Sequence, residues 1–499
     1  MTIQLHTPEQ AARWLREHVT GNLLTDSRQV GDGDGFIAWP GAATDSRRYV
    51  ADVLASGARA CLVEHKGADA YSFTNPQVAF YKGLKAAAGP LAAAYFNAPS
   101  QHLQVIAVTG TNGKTSTSWW LAQALGRLGR KCGVVGTLGI GEPGAMVLNG
   151  LTTPDPVLLQ QQLRRFVDEN FAACVLEASS IGIEEGRLDG TQLQIGIFTN
   201  FTQDHLDYHG SMQAYWKAKK SLFDWPGLKA AVINIDDSKG AELCALLSDT
   251  GQEVWTFSCS GAARLEARNI QQVMQIMRFD VVEGAECYSL STQLVGLYNV
   301  YNLLGVIAAL RAMNVPLADA VASCVDLLPV PGRMDTLALE GLPLVVIDYA
   351  HTPDALEKVL SALKPVATHR GGRLWCVFGC GGDRDASKRP LMGAMAEKIA
   401  DEIVITSDNP RSEDPQVIID QVVSGLRCPS SAHVKIFRDV AITDVICLAQ
   451  PEDVVLLAGK GHEDFQEISG VKFPFSDRVH AQTALNSVRA KRQSQGDVA

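Results

Sequence analysis

The chain has 499 residues, too many for one hydrophobic core, and length alone points to about three domains. Its 46% hydrophobic and 20% charged residues suit an ordinary globular protein, and a net charge of −10 excludes a general nucleic-acid binder, which needs a basic face. Eleven dispersed cysteines without a CxxC pair read as free thiols of a reducing compartment. With no signal-peptide start and no apolar run of about 18 residues, the expectation is a cytoplasmic protein without a membrane span.

Residues 1–86 alternate short apolar runs with turns. "GDGFIAWPG" predicts turn, strand, turn; "ARACLVE" predicts a second strand, and "KGLKAAAGPLAAAYF" a helix leading out. "TDSR" at 25–28 recurs within "TDSRR" at 44–48, and this is read as coincidence. Residues 87–331 open on "LQVIAVTGTNGKTSTSWWLAQALGRLG", an apolar strand, a Gly-rich turn and an amphipathic helix. "CGVVGTL", "AACVLEAS", "IGIFTN" and "AAVINID" follow as strands alternating with helices, the pattern of a parallel sheet. After the hinge "PVPGRMD", residues 332–499 repeat the alternation through "LPLVVIDYA", "RLWCVFGC", "DEIVITSD" and "VVLLAGKG". The expected fold is α/β in three domains: a small N-terminal α/β domain, a central P-loop ATPase-like parallel-sheet domain and a C-terminal Rossmann-like, doubly wound domain.

"VTGTNGKTS" (108–116) carries the chemistry. The phosphate-loop pattern is GxxxxGK[ST], and Val108 stands where its first glycine belongs. Gly110 and Gly113 let successive N–H groups, with those of Thr111, Asn112 and Ser116, turn toward a phosphate, and the following helix adds its positive dipole end. Lys114 would reach the β/γ-phosphates and Thr115 would bind Mg²⁺. Glu177 ends the strand "AACVLE", where open α/β sheets place ligand residues. By themselves "DHLDYHG" is a polar loop, the lysines of "YWKAKK" are surface charges and "SDNPRSEDP" is a turn.

"TGTNGKT" without the first glycine resembles the ATP loop of the Mur ligase family. So do "LEASSIG", "TNFTQDHLDYHG", "AYWKAKKSLF", "GLYNVYN", "PGRMD", "DYAHTPDALE", "GCGGDRDASKRPLMG", "TSDNPR" and "GKGHEDFQ", which together span nearly the whole chain. The resemblance implies an ATP- and Mg²⁺-dependent, ADP-producing amide ligase of peptidoglycan precursor synthesis, working through an acyl phosphate. It implies Lys114, Glu177, His205 and Lys219 as catalytic, with Lys219 modified to a carbamate and Thr115, Glu177, His205 and that carbamate holding metal. Asn299 and Asn302 match "FNVxN", with Tyr298 in place of Phe, and Arg333, Asp348 and His351 match residues that close over ATP.

For the substrate UDP-N-acetylmuramoyl-L-alanyl-D-glutamate the resemblance offers Thr25, Ser27, Ala42, Ala43 and Thr44 at the uridine end. Thr152, Thr153, Ser179, Glu185 and Arg187 match positions at the dipeptide end. Ile181 departs from the usual His of "SSH", and Glu185 from the usual uncharged polar residue. Arg384, Asp408, Asn409, Pro410, Arg411, Gly459 and Glu463 match the pocket for meso-2,6-diaminopimelate. An Arg clamps a carboxylate bidentately, and diaminopimelate has a distal carboxylate that lysine lacks. A monomer is expected. A folylpolyglutamate-type synthetase and a non-catalytic nucleotide-binding relative are the alternatives; the second would have lost one of Lys114, Glu177, His205 or Lys219.

Overall fold

The computed structural model describes residues 3–41, 44–273, 276–294 and 296–496; Ala42 and Ala43, expected at the uridine end, lie outside them. Three main sheets follow one another along the chain. The first is five-stranded and wholly parallel, running in space Ile3–Leu5, Val78–Tyr81, Ala60–Glu64, Gly35–Ala38 and Leu23–Leu24. The expected limit at residue 86 falls inside helix Leu84–Tyr95. That helix buries Leu84, Leu91 and Ala92 with Ala11, Trp14 and Leu15 of helix Pro8–His18, so packing ties it to the first sheet.

Both "TDSR" runs fold alike. Asp26 and Asp45 each cap a 3₁₀ turn, and each carboxylate pairs at 2.7 Å with the Arg two residues on, Arg28 and Arg47. The recurrence is therefore one local motif used twice, since an Asp side chain satisfies the N–H groups that such a turn leaves open.

The second sheet has eleven strands. Its core, Cys132–Gly136, Ala173–Glu177, Gln104–Thr109, Ile195–Phe198, Ala230–Asn234 and Glu253–Ser258, is parallel and buried almost throughout. The flanks are not. Strands Leu265–Val273, Ile276–Glu283 and Glu286–Thr292 on one side, and Gly139–Glu142 and Ala145–Val147 on the other, add antiparallel ladders. Ile276–Glu283 buries mainly alternate residues, because only one face of an outer hairpin has a core to meet.

The third sheet runs Asp335–Leu337, Leu344–Asp348, Val454–Ala458, Leu374–Phe378, Glu402–Ile405 and Ala432–Val434. Its first pairing is antiparallel and the rest are parallel. Among the described residues no helix is long and apolar enough to cross a membrane.

Candidate active site

Strand Gln104–Thr109 runs through the second sheet and hands over to helix Lys114–Arg127 through the loop 110–113. Val108 is fully buried in the strand beside Ile106, so the chain does not turn until Gly110 and needs no glycine earlier. Gly113 is required twice over. Its φ is +85°, and a Cβ there would stand 2.4 Å from Asn302 Oδ1. Asn302 therefore closes directly on the loop, and its Nδ2 donates to Asn299 Oδ1 at 3.2 Å. The Lys114 ammonium curls back to the carbonyls of Gly110 and Thr111, both at 2.9 Å. Burial pushes its pKa down, with Glu177 and Asp204 pulling the other way.

Glu177 sits at the carboxyl end of Ala173–Glu177 with its carboxylate buried. Thr115 Oγ1 donates to Oε2 at 3.0 Å, and Thr137 supplies two more bonds, backbone N to Oε1 at 2.9 Å and Oγ1 to Oε2 at 3.1 Å. A Cβ at Gly136 would meet Oε1 at 2.2 Å, so the carboxylate lies against bare backbone. Thr137 was not expected from sequence; "GTLG" after a strand has the look of any turn.

The loop from Thr199 to Gly210 supplies the opposite wall. His205 has φ +53°, a strained value for a non-glycine residue. Burial lowers its pKa to about 4 against the pull of Asp204, so the ring is neutral and one of its nitrogens is available to a cation. Asp204 is buried, yet His205, His351 and Lys388 outweigh the burial and hold it at about 2. Lys219, on helix Met212–Lys220, is 1% exposed and donates to Gly110 O at 2.7 Å, with its Nζ 4.5 Å from the Tyr215 ring centroid. Burying an ammonium costs several kcal/mol, and a cation–π contact returns only about 0.5–2 kcal/mol. The neutral amine is favoured, and burial with Lys114 beside it moves the Lys219 pKa well down.

The third sheet completes the enclosure. Arg333 Nη2 donates to Thr115 Oγ1 at 3.3 Å, its guanidinium lies over the Tyr349 ring, and its buried Nε has no partner among the described residues. Asp348 accepts from the backbone of Met334 and Ala350, each at 2.8 Å, and burial raises its pKa against the pull of Arg333. His351 hydrogen-bonds Tyr349 O at 2.7 Å, and burial and Lys388 lower it to about 4. Asn112 Nδ2 reaches across to Asp354 Oδ2 at 2.8 Å. Between the two sheets lies a cavity of about 700 Å³ walled by Gly113, Ser116, Asn299, Asn302, Arg333 and Asp348, within the range of a cofactor-sized site.

At the expected precursor side, Thr153 Oγ1 binds Glu177 O at 2.7 Å and Ser179 Oγ at 2.9 Å, while Thr152 Oγ1 meets Thr137 Oγ1 at 3.1 Å. Arg187 Nη1 donates to Thr153 O at 2.9 Å. These residues therefore adjoin Glu177. Thr25 is half-buried just past strand Leu23–Leu24, Ser27 opens the first 3₁₀ turn, and Thr44 O accepts from Gly41 N at 2.9 Å. Both Glu185 oxygens are engaged elsewhere, by Lys85 at 2.7 Å and Tyr208 at 2.9 Å.

The "DNPR" run lies just past strand Glu402–Ile405. Asp408 is buried against Gly459, where a Cβ would approach its Oδ2 to 2.5 Å; burial raises its pKa and Lys460 restrains it. Asn409 Nδ2 donates to Glu463 Oε2 at 2.8 Å, and Lys460 Nζ, 0% exposed, donates to both Asn409 Oδ1 and Glu463 Oε2 at 3.0 Å. Pro410 is buried and Arg411 follows it with φ +51°. Arg411 Nη1 donates to Gly382 O at 2.6 Å and its Nε stands 3.4 Å from Glu467 Oε2. Arg384 is exposed and bonded to Asp383 O at 3.0 Å. Sequence reasoning quoted the motifs of Lys388 and Lys460 without singling out either lysine, because their partners become neighbours only through the fold.

Comparison with known proteins agrees with this arrangement. Residues 108–310 match the Mur ligase middle domain and residues 332–461 the Mur ligase, glutamate ligase domain. The UDP-N-acetylmuramoyl-L-alanyl-D-glutamate--2,6-diaminopimelate ligase of Acidovorax sp. (strain JS42) is 56% identical, covering 96% of this chain and 97% of its own. The ligase of the same name from Pseudomonas aeruginosa is 45% identical over 94% and 96%. A solved structure of a ligase so named shares 34% identity, covers 93% and 94% of the two chains and superposes with a TM-score of 0.64. The chain belongs to the Mur ligase family.

Proposed function

We propose that the protein uses ATP to join meso-2,6-diaminopimelate to the D-glutamate of UDP-N-acetylmuramoyl-L-alanyl-D-glutamate. The observation that carries this reading is one enclosure shared by two sheets. The phosphate loop, Glu177 and Lys219 stand on one side, and Arg333 and His351 on the other, in a chain 56% identical over 96% of its length to a ligase of that name.

A carboxylate does not react with an amine until its oxygen is made a leaving group. The D-glutamate carboxylate attacks the γ-phosphorus of ATP, ADP departs, and the acyl phosphate forms. The diaminopimelate amine then attacks the acyl carbon, loses a proton, and phosphate leaves. Two anions must meet in the first step, so positioning and charge neutralisation dominate. Lys114 and Arg333 bring cationic groups to the phosphates, and the N–H groups of residues 110–116 cradle them. The donor chemistry suits Mg²⁺: Thr115 Oγ1 and Glu177 Oε2 are hard oxygens 3.0 Å apart, and His205 on the facing loop has a neutral ring. Bound there, with a carbamate on Lys219, Mg²⁺ would neutralise the phosphate oxygens. The Lys219 amine is suited to that modification, since only its neutral form adds to CO₂. The same reading puts the protein in the cytoplasm.

In the third sheet's pocket Arg411 would take the distal carboxylate of diaminopimelate and Glu463 its ammonium. A guanidinium has five N–H donors, so its contact with Gly382 O leaves others for a carboxylate. The test is phosphate release with ATP, Mg²⁺ and the precursor, run in parallel with diaminopimelate, L-lysine and no amino acid. Release with diaminopimelate alone is expected. Preference for lysine would overturn the assignment of the pocket, and silence in all three would overturn the reaction.

A further inference from the structure

Glu185 stands where an uncharged polar residue is usual in the family, and the structure gives it an unexpected set of neighbours. It lies just after the short helix Ser180–Glu184 and two residues before Arg187. One carboxylate oxygen pairs at 2.7 Å with Lys85, on helix Leu84–Tyr95 of the first sheet. The other accepts from Tyr208 OH at 2.9 Å, on the turn that follows His205. Three segments far apart in sequence therefore converge on one carboxylate.

The contact is open to solvent, but the backbones that carry it are tightly packed beside it. One turn beyond Lys85, Gly89 presses on the turn after Arg187. A Cβ at Gly89 would stand 2.1 Å from Asp189 O, and one at Gly190 would stand 2.6 Å from Gly89 O. Backbone meets backbone there, so helix Leu84–Tyr95 and the segment 185–190 are fixed against each other. Next to it the His209 side chain lies fully buried between Ser180 Oγ at 3.0 Å and Glu184 Oε2 at 2.9 Å. The His205 turn is thus anchored to the same short segment by two successive residues, Tyr208 and His209.

We propose that Lys85, Glu185 and Tyr208 form a positioning clasp that sets the Arg187 turn and the His205 turn relative to the first sheet, and that Lys85 shields the anionic precursor from the charge of Glu185. The inference rests on the functional reading above. Its energetic logic is particular. Lys85 and Glu185 side chains are 51% and 31% exposed, and an ion pair this open to water adds little to folding. Stability therefore changes little when the pair is broken. Precursor binding changes more, because an unpaired carboxylate two residues from Arg187 competes for that guanidinium and repels a substrate bearing carboxylates and a diphosphate.

The sign of the effect differs among variants. Lys85→Met leaves Glu185 unpaired and should raise the KM for UDP-N-acetylmuramoyl-L-alanyl-D-glutamate about tenfold, the value of about 1.4 kcal/mol. Glu185→Gln removes the charge and keeps a hydrogen-bond acceptor for Tyr208, so its KM should rise no more than about threefold. The double variant should recover most of what Lys85→Met loses. In all three the KM for ATP and the thermal midpoint should stay near wild type.

Wild-type turnover of the precursor is measured first, and its absence would overturn the functional reading rather than the clasp. Given turnover, additive losses in the double variant, or equal rises in the KM for ATP and for precursor, would overturn the clasp. An unchanged precursor KM in Lys85→Met would overturn it too.

Discussion

Thr137 shows how a residue without a motif becomes necessary. It holds Glu177 by two hydrogen bonds and touches Thr152, joining the proposed metal side to the proposed precursor side. Thr137→Val keeps the shape and the backbone bond but leaves one carboxylate oxygen a donor short, a loss of about 1–3 kcal/mol for a buried group. We expect kcat to fall by about tenfold or more with a raised Mg²⁺ requirement, while Thr137→Ser restores both; Mg²⁺ titrations of the two variants decide it. Arg411→Ala should raise the KM for diaminopimelate by about tenfold to a hundredfold, in line with about 1.4–2.7 kcal/mol for a charge-assisted pair, and leave the KM for ATP alone. Unchanged diaminopimelate kinetics would remove Arg411 from the pocket. His462 gives a pH test. Burial, with Arg333 close by, lowers it to about 4, and His351 is lowered as far. Between pH 6.5 and 4 each ring is neutral when folded and protonated when unfolded, so each weakens the fold as pH falls through that window. The His462 ring resonances should not shift between pH 8 and 5; a midpoint near 6.5 would contradict its burial.

At the scale of elements, the strand–turn–helix around residues 104–127 was legible because one segment carries the periodicity, the glycines and the lysine together. Gly113→Ala tests why that turn is shaped as it is. The substitution meets both the strain of φ +85° and the Asn302 side chain, so nucleotide affinity should fall by at least tenfold, measured by ADP binding, with the fold retained. The parallel strands of the second and third sheets were legible as apolar runs. The antiparallel flanks were not: Glu286–Thr292 is mostly exposed, so it carries none of the apolar weight that marks a buried strand. Lys460 and Lys388 escaped for a related reason. A buried lysine is written like a surface one, and only the fold sets Lys460 beside Asn409 and Glu463. Glu185 itself was named from sequence as a departure from the family pattern, but its pairing was not legible, since its Lys85 partner is a hundred residues away and belongs to another sheet.

The molecule as a whole places its chemistry between sheets rather than on one. The central and third sheets meet through loops at the carboxyl ends of their strands, where open α/β sheets gather ligands. Asn112 reaches Asp354, Gln203 Nε2 reaches Ser387 Oγ at 3.1 Å, Arg333 reaches Thr115, and Lys388 Nζ stands 3.9 Å from Asp204 Oδ1. Each contact joins a residue of the phosphate loop or the His205 loop to one from beyond residue 332, so relative sheet orientation and site geometry are one variable. Lys388 is the informative member because it is buried, 7% exposed, and faces a carboxylate equally hidden. Lys388→Met removes the cation but leaves Asp204 the hydrogen bond from the His205 backbone N at 2.9 Å, so the cost is that of one weakened buried interaction, about 1–3 kcal/mol. That energy holds two sheets in register rather than holding either sheet folded. We therefore expect kcat/KM to drop by about tenfold to a hundredfold while the urea midpoint of each domain stays in place and the radius of gyration from solution scattering rises. A compact scattering profile with the same kinetic loss would mean that Lys388 acts on the substrates directly, and an unaltered rate would mean that the contact between the sheets is held by the remaining ties alone.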